Sequence, residues 1–172
     1  MLAGQSPMNN RVQRILHESD SRYLTSGEKE EVQGYLTDLG KRLEFATQIE
    51  DAEDSAVRFC IDNTRKRYPN FDKYHDKAWA KAFRDVQLTT RYAAQAMLLG
   101  ETKLLEDKLL FWLRTILAGL NFTPEFNRDT YTFLKEGFRQ NLSPEVFTEF
   151  ERYLDLVIDI MSSFPEPATP AV

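Results

Sequence analysis

The sequence predicts an all-α protein, and three observations carry that expectation. Apolar residues recur every three or four positions along most of the chain, the period that lines one face of a helix. No segment alternates apolar and polar residues with period two, and β-branched runs are missing. Hydroxyl residues ahead of proline or glutamate punctuate the pattern where helices would begin.

Taken in order, Thr25-Ser26-Gly27-Glu28 has the form of a capping box, in which Thr25 and Glu28 each accept from the other's backbone amide. After it Val32, Leu36, Leu39, Leu43 and Ala46 share one face. Ala52, Ala56, Phe59, Cys60 and Asn63 continue the period to Tyr68-Pro69, where proline disfavours helix in the residue before it. Trp79, Phe83, Val86, Thr90, Ala93 and Met97 form the next stripe, stopped near Gly100. Leu105, Leu109, Leu113, Ile116, Leu117 and Leu120 follow with few polar residues between them, which predicts the most buried helix of the protein. Thr123-Pro124-Glu125 and Ser143-Pro144-Glu145 each place a capping hydroxyl before a proline at the first helical position. Phe133 and Phe138 belong to the helix between them. Phe150, Leu154, Val157, Ile158 and Met161 form the last, before a frayed segment at Phe164-Pro165-Glu166-Pro167. Seven or eight helices with short connections fit a globin-like packing or an irregular bundle, and periodicity alone does not choose. The expected organisation is a flexible terminus over 1–9, one domain over 10–163 and a disordered tail over 164–172.

Composition narrows the classes. With 172 residues, 42% of them hydrophobic, the chain can bury a substantial core. A net charge of -5 argues against a general nucleic-acid binder. No apolar run approaches the ~18–20 residues that span a bilayer. Met1-Leu2-Ala3-Gly4-Gln5-Ser6-Pro7 lacks the basic and apolar regions of a secretory signal. The single cysteine, Cys60, builds no disulfide framework and suits a reducing compartment, so a cytoplasmic location is expected.

Catalytic chemistry finds little to work with. His17 and His75 are the two histidines, far apart and without ligand partners at helical spacing, which disfavours zinc. His75, among Lys73, Tyr74, Asp76 and Lys77, is a poor axial ligand for haem. Glu28-Lys29-Glu30-Glu31 and Glu50-Asp51-Ala52-Glu53-Asp54 read as solvated helix faces. No nucleophile elbow, phosphate-binding glycine loop or triad is present, so no enzyme is expected.

One helix is more specific. Lys81-Ala82-Phe83-Arg84-Asp85, then Arg91-Tyr92, then Met97-Leu98-Leu99-Gly100-Glu101 resembles the pigment-attachment helix of the phycobiliproteins, which reads roughly Cys-x-Arg-Asp, Arg-Tyr and an apolar run closed by Ala-Gly-Asp. Arg22-Tyr23-Leu24-Thr25-Ser26-Gly27-Glu28 is similar to the family's Arg-Tyr-Leu-Ser-x-Gly-Glu, and Lys41-Arg42-Leu43 followed by Ile49 to its Arg-Arg-Leu…Ile pattern. Leu105-Glu106-Asp107, Gly119-Leu120-Asn121 with Thr123-Pro124, Leu134-Lys135-Glu136 and Tyr153-Leu154-Asp155 follow the family's later segments in order, so that the resemblance spans roughly 10 to 161.

The resemblance implies a globin-like fold of about eight helices with an N-terminal helical hairpin that docks on a partner. Glu18 and Arg91 match an acid–arginine pair that joins subunits in the family. The plainer alternative is that Arg91 pairs within its own helix or meets solvent. Arg84 would hold a propionate of an open-chain tetrapyrrole, and Asp85 its central pyrrole N–H groups. In the plainer reading Lys81 and Asp85 form an i, i+4 pair and Arg84 lies along the surface.

Several parts of the pigment site are replaced. Ala82 stands where the thioether cysteine would be, so no covalent bilin is expected there. Gln87, Leu88 and Thr89 replace an aspartate and two tyrosines, Leu117 replaces a ring-covering tyrosine, and the connection from Tyr68-Pro69 to Arg84 is shorter than usual. Cys60 reads as a small buried hydrophobe rather than a substitute anchor.

The resemblance therefore implies a phycobilisome-associated, allophycocyanin-like protein acting in assembly or regulation. It would dock on phycobiliprotein subunits, linkers or a second copy, at the cytoplasmic face of the thylakoid. The first alternative is a non-covalent carrier or sensor of phycocyanobilin that uses Arg84 and Asp85. The second is a globin-like signalling domain.

Overall fold

The computed structural model describes residues 10–74, 77–120 and 122–163; the expected flexible terminus 1–9, the tail 164–172, His75, Asp76 and Asn121 lie outside the described residues. Among the described residues there are six helices and no strand. They are α1 (Asn10–Glu18), α2 (Ser26–Arg67), α3 (Ala78–Leu99), α4 (103–119), α5 (Pro124–Asn141) and α6 (Pro144–Met161). A 3-10 turn, Phe71–Tyr74, precedes α3.

The count is below eight because α2 runs for 42 residues without a break, a rod of roughly 63 Å at the helical rise. No proline interrupts it, and the cost of about 1 kcal/mol for each of Gly34 and Gly40 weakens the helix without ending it. Its start is the predicted capping box. Thr25 Oγ1 accepts from the Glu28 amide at 3.3 Å, and Glu28 Oε2 accepts from the Thr25 amide at 2.8 Å. Arg22 completes it, donating to both Glu28 oxygens at 2.9 and 2.7 Å. That contact, together with the Thr25 amide, holds the Glu28 carboxyl down to about 2.

The two halves of α2 differ. No residue from Ser26 to Glu44 is buried, whereas Phe45, Ile49, Ala52, Ala56, Val57, Cys60, Ile61 and Thr64 all are. The second half is the central helix, packed on α5 and α3. α1 is short and lies seven residues upstream; it packs on α2 and buries Val12 and Ile15. Leu36 and Leu43, predicted on the buried stripe, are therefore exposed, because the hairpin alone does not cover them.

Where α2 crosses α5 the backbones nearly touch. A Cβ on Gly137 would stand 2.7 Å from the Ala56 carbonyl oxygen. Leu134 and Phe138 flank the crossing, and Phe138 meets the Phe150 ring of α6 edge-on at 5.1 Å. α3 ends at Gly100, whose φ of 73° closes the helix with its amide on the Met97 carbonyl. Arg42 of α2 donates to the Leu98 carbonyl at 2.9 Å, placing a cation at the negative end of α3.

α4 corrects an expectation. It consists of an α turn, Lys103–Leu105, a π-helical segment, Glu106–Leu110, and a further α-helix, Phe111–Gly119. The π segment inserts an extra residue and turns the adjacent Leu109 and Leu110 both inward. From Phe111 onward the helix is covered on one side only. Ile116, Phe111, Trp112 (57% exposed) and Leu120 (62% exposed) face solvent, so α4 is not the most buried helix. The starts of α5 and α6 are as predicted: Thr123 Oγ1 accepts from the Phe126 amide and Ser143 Oγ from the Val146 amide.

Candidate functional site

The apolar stripe of α3 fixes what the helix shows to solvent. Val86, Thr89, Thr90, Ala93, Ala96 and Met97 are buried, which turns Arg84, Leu88 and Arg91 outward at helical spacing. Arg84 is 72% exposed at its side chain and donates from Nε and Nη2 to Asp85 Oδ1, at 3.1 and 2.9 Å. The structure thus brings Arg84 and Asp85 together, as a surface ion pair. Ala82, two residues earlier, is half-buried against the core and offers no nucleophile.

The neighbouring replacements have their own partners. Thr89 Oγ1 donates to the Asp85 carbonyl at 2.8 Å, leaving the Tyr131 hydroxyl as donor to Thr89 at 3.3 Å. Burial pushes the Tyr131 hydroxyl far up from its ordinary value. Leu117 packs against the core. At the shortened connection, rings fill the space. Phe71 stacks on Phe126 at 4.9 Å and meets Trp79 at 4.7 Å and Phe122 at 5.5 Å, with Tyr68 also on Phe126.

Arg91 pairs with neither its own helix nor solvent alone. Its Nε and Nη2 donate to Glu53 of α2 at 3.1 and 2.8 Å, and Gln87 adds a bond to the same carboxylate at 3.2 Å. Glu53 is 13% exposed at its side chain, so it departs from the solvated acidic face expected of 50–54. The separation of 38 residues left no local signal for this contact. Glu18 lies at the end of α1, 3.9 Å from Arg14, and is exposed. Glu18 and Arg91 do not meet within the chain; each is paired with another residue of its own chain.

Cys60 is wholly buried on α2 and donates its thiol to the Thr130 carbonyl at 3.1 Å. Burial pushes the thiol up to about 12, so it carries almost no thiolate at neutral pH. A groove of about 480 Å³ between α2, the end of α3 and α6 carries three cations, all engaged. Lys41 pairs with Glu145, Arg42 with the Leu98 carbonyl and Arg152 with Glu149. It keeps no cation ready for a propionate. Among the described residues no group of His, Cys, Asp and Glu is placed to hold a metal ion, and no helix is long and apolar enough to cross a membrane.

A model of the family described as phycobilisome protein matches residues 16–161. The chain belongs to the phycobilisome protein family. Its fold class is therefore the globin-like all-α one of phycobiliproteins. Proteins of this family are light-harvesting pigment proteins rather than enzymes, and the family binds bilins. The chain is 27% identical to the allophycocyanin subunit alpha-B of Synechocystis sp. over 158 residues, 88% of this chain and 98% of that subunit. It is 24% identical to the allophycocyanin beta chain of a Synechococcus strain over 159 residues, 87% of this chain and 97% of that one. With the C-phycoerythrin class 2 subunit beta of Parasynechococcus marenigrum it shares 28% identity over 108 residues, 60% of this chain and 61% of that subunit. In that last match the chain spans less than two thirds of the relative.

Proposed function

We propose that this phycobilisome protein is an allophycocyanin-like component without a covalent bilin, acting in antenna assembly or regulation through its helical faces. The observation that carries the reading is the uncovered apolar surface of the α1–α2 hairpin. Leu16, Leu36 and Leu43 are exposed there, and Tyr23 is 95% exposed. Gly34 and Gly40 have open space where a side chain would stand, which lets another helix approach closely. Such a patch rimmed by charge fits a protein partner. The partners proposed are phycobiliprotein subunits, linkers or a second copy, at the thylakoid surface. Glu18 and Arg91 would meet their counterparts across that contact. Arg91 must then leave or share Glu53. The absence of covalent pigment rests on Ala82 and on the sequestered Cys60 thiol.

The test is capture of purified allophycocyanin subunits in gel filtration. Leu36→Glu and Leu43→Glu, both on exposed positions, are expected to retain the fold and lose capture at least tenfold. Capture unchanged by both variants overturns the hairpin reading. A second reading, non-covalent binding of phycocyanobilin, is favoured by the exposed Arg84 guanidinium standing directly on Asp85. It predicts a visible band that leaves the polypeptide on denaturation and disappears in Arg84→Ala.

A further inference from the structure

The two ends of α2 carry opposite charge. Over 26–54 nine Asp and Glu stand against Lys29, Lys41 and Arg42, whereas over 65–81 six Lys and Arg stand against Asp72 and Asp76. Three elements bring those six cations to one pole of the molecule. Arg65, Lys66 and Arg67 end α2, Lys73 lies on the 3-10 turn, and Lys77 and Lys81 open α3; all six are exposed. The three on α2 complement the negative end of their own helix. Lys77 and Lys81 do the reverse, since they stand at the positive end of α3, whose first turn holds no acid. The stability of that helix therefore does not call for them. Neighbouring acids offset part of the charge: Asp62 stands three residues before Arg65, and Asp129 accepts from Arg67 at 3.0 Å. Arg128, exposed beside Asp129, adds to the excess. Among the described residues no acid pairs with Arg65, Lys66 or Lys73. Rings pack the space behind the pole, Phe71 against Trp79, Phe122 and Phe126, with Arg65 over the Trp79 ring at 5.0 Å.

We propose that this basic pole rests on the anionic lipid headgroups of a membrane surface. The inference rests on the thylakoid-surface location proposed above, and it names the face and the chemistry of the contact. Charge sets the orientation. Salt screens over about 8–10 Å, far less than the ~60 Å length of α2, so a charged surface acts only on the end nearest to it. An anionic bilayer attracts the pole and repels the acidic length of α2, even though the chain as a whole carries a net charge of -5. Clustered lysines and arginines are the side chains that hold anionic headgroups without insertion, and no helix among the described residues is long and apolar enough to cross. A spread of cations over three elements, backed by packed rings, suits a broad surface better than a peptide held in a groove. The uncovered hairpin lies at the other end of α2, where a protein partner can be held at the same time.

The experiment is flotation of the full chain with vesicles of phosphatidylcholine alone or of phosphatidylcholine mixed with phosphatidylglycerol, at low and at raised salt. The proposal expects binding to the anionic vesicles only, reversal by salt, and a loss of about fivefold or more in each of Lys66→Glu and Lys73→Glu. Lys108→Glu makes the same charge change at an exposed position of α4 and is expected to leave flotation unchanged. Circular dichroism checks that each exposed substitution keeps the helices. No flotation with anionic vesicles, equal flotation with neutral ones, or an equal loss in Lys108→Glu overturns the proposal. Capture of allophycocyanin subunits is read separately, without vesicles. Leu36→Glu is expected to lose capture and keep flotation, so failure of the hairpin reading and failure of this one are told apart. Loss of capture in Lys66→Glu and Lys73→Glu, with no flotation of the parent chain, overturns the membrane contact and assigns the pole to an acidic protein surface.

Discussion

Replacing Gly137 by alanine tests the packing at the centre of the body. The added Cβ would lie 2.7 Å from the Ala56 carbonyl oxygen and 3.0 Å from its Cα, both backbone atoms in mid-helix that cannot rotate away. Ordinary contact begins near 3.4 Å, so α2 and α5 must separate by about 3.4 − 2.7 = 0.7 Å at their crossing. Overpacking of this kind costs about 1–3 kcal/mol. The helical gain of alanine over glycine returns about 0.5–1 kcal/mol, leaving a net loss of up to about 2.5 kcal/mol. Gly34→Ala is the internal control, since nothing stands within 4 Å of its Cβ position; it is expected to stabilise by about 0.5–1 kcal/mol. Urea unfolding reads both as shifts in midpoint at constant slope. A Gly137→Ala protein as stabilised as Gly34→Ala would refute the close crossing.

Other outcomes follow from the same geometry. Cys60 is expected to resist a thiol reagent in the native protein and to react fully in urea, since its thiol is buried and pushed up to about 12; rapid native labelling contradicts this. Lys135, 17% exposed, bridges Glu151 and Asp155 at 2.7 Å each, so Lys135→Met should cost about 0.5–1 kcal/mol in thermal or urea unfolding. The hydrogen bond from Lys135 holds the Glu151 carboxyl below its ordinary value, and Arg22 does the same for Glu28. The unfolded chain therefore binds more protons in acid. The contribution is complete above the ordinary carboxylate range and is lost as pH falls from about 4.5 toward 2. A urea midpoint that rises on acidification over that window would reverse the sign. Glu53→Ala removes the partner that engages Arg91 and is expected to raise capture of allophycocyanin subunits in the gel-filtration assay; lower capture would mean that Glu53 positions Arg91 for docking.

Local chemistry was readable before the fold was known. Thr25, Thr123 and Ser143 cap helices through bonds that span three residues, and Gly100 closes α3 through its own dihedral angle. Apolar period located the helices but not what covers them. Leu36, Leu43, Ile116 and Leu120 carry the pattern of core residues, yet they face solvent because none of the described residues packs over them. The extent of α2 was legible in the period that runs from the Thr25 cap to Tyr68-Pro69 with no proline between them. At the site, adjacency placed Arg84 and Asp85 together, since consecutive residues need no folding to meet. The Glu53–Arg91 contact joins two helices and depends on how α2 crosses α3, which no single segment encodes.

The central claim is that this phycobilisome protein holds no pigment by a covalent bond. The most direct measurement is the visible spectrum of the chain co-expressed with bilin-synthesis enzymes, taken before and after denaturation in acidic urea and gel filtration, beside a normal subunit that does acquire pigment. The account predicts that no visible absorbance stays with the denatured polypeptide. A band that co-elutes with the denatured chain would contradict it.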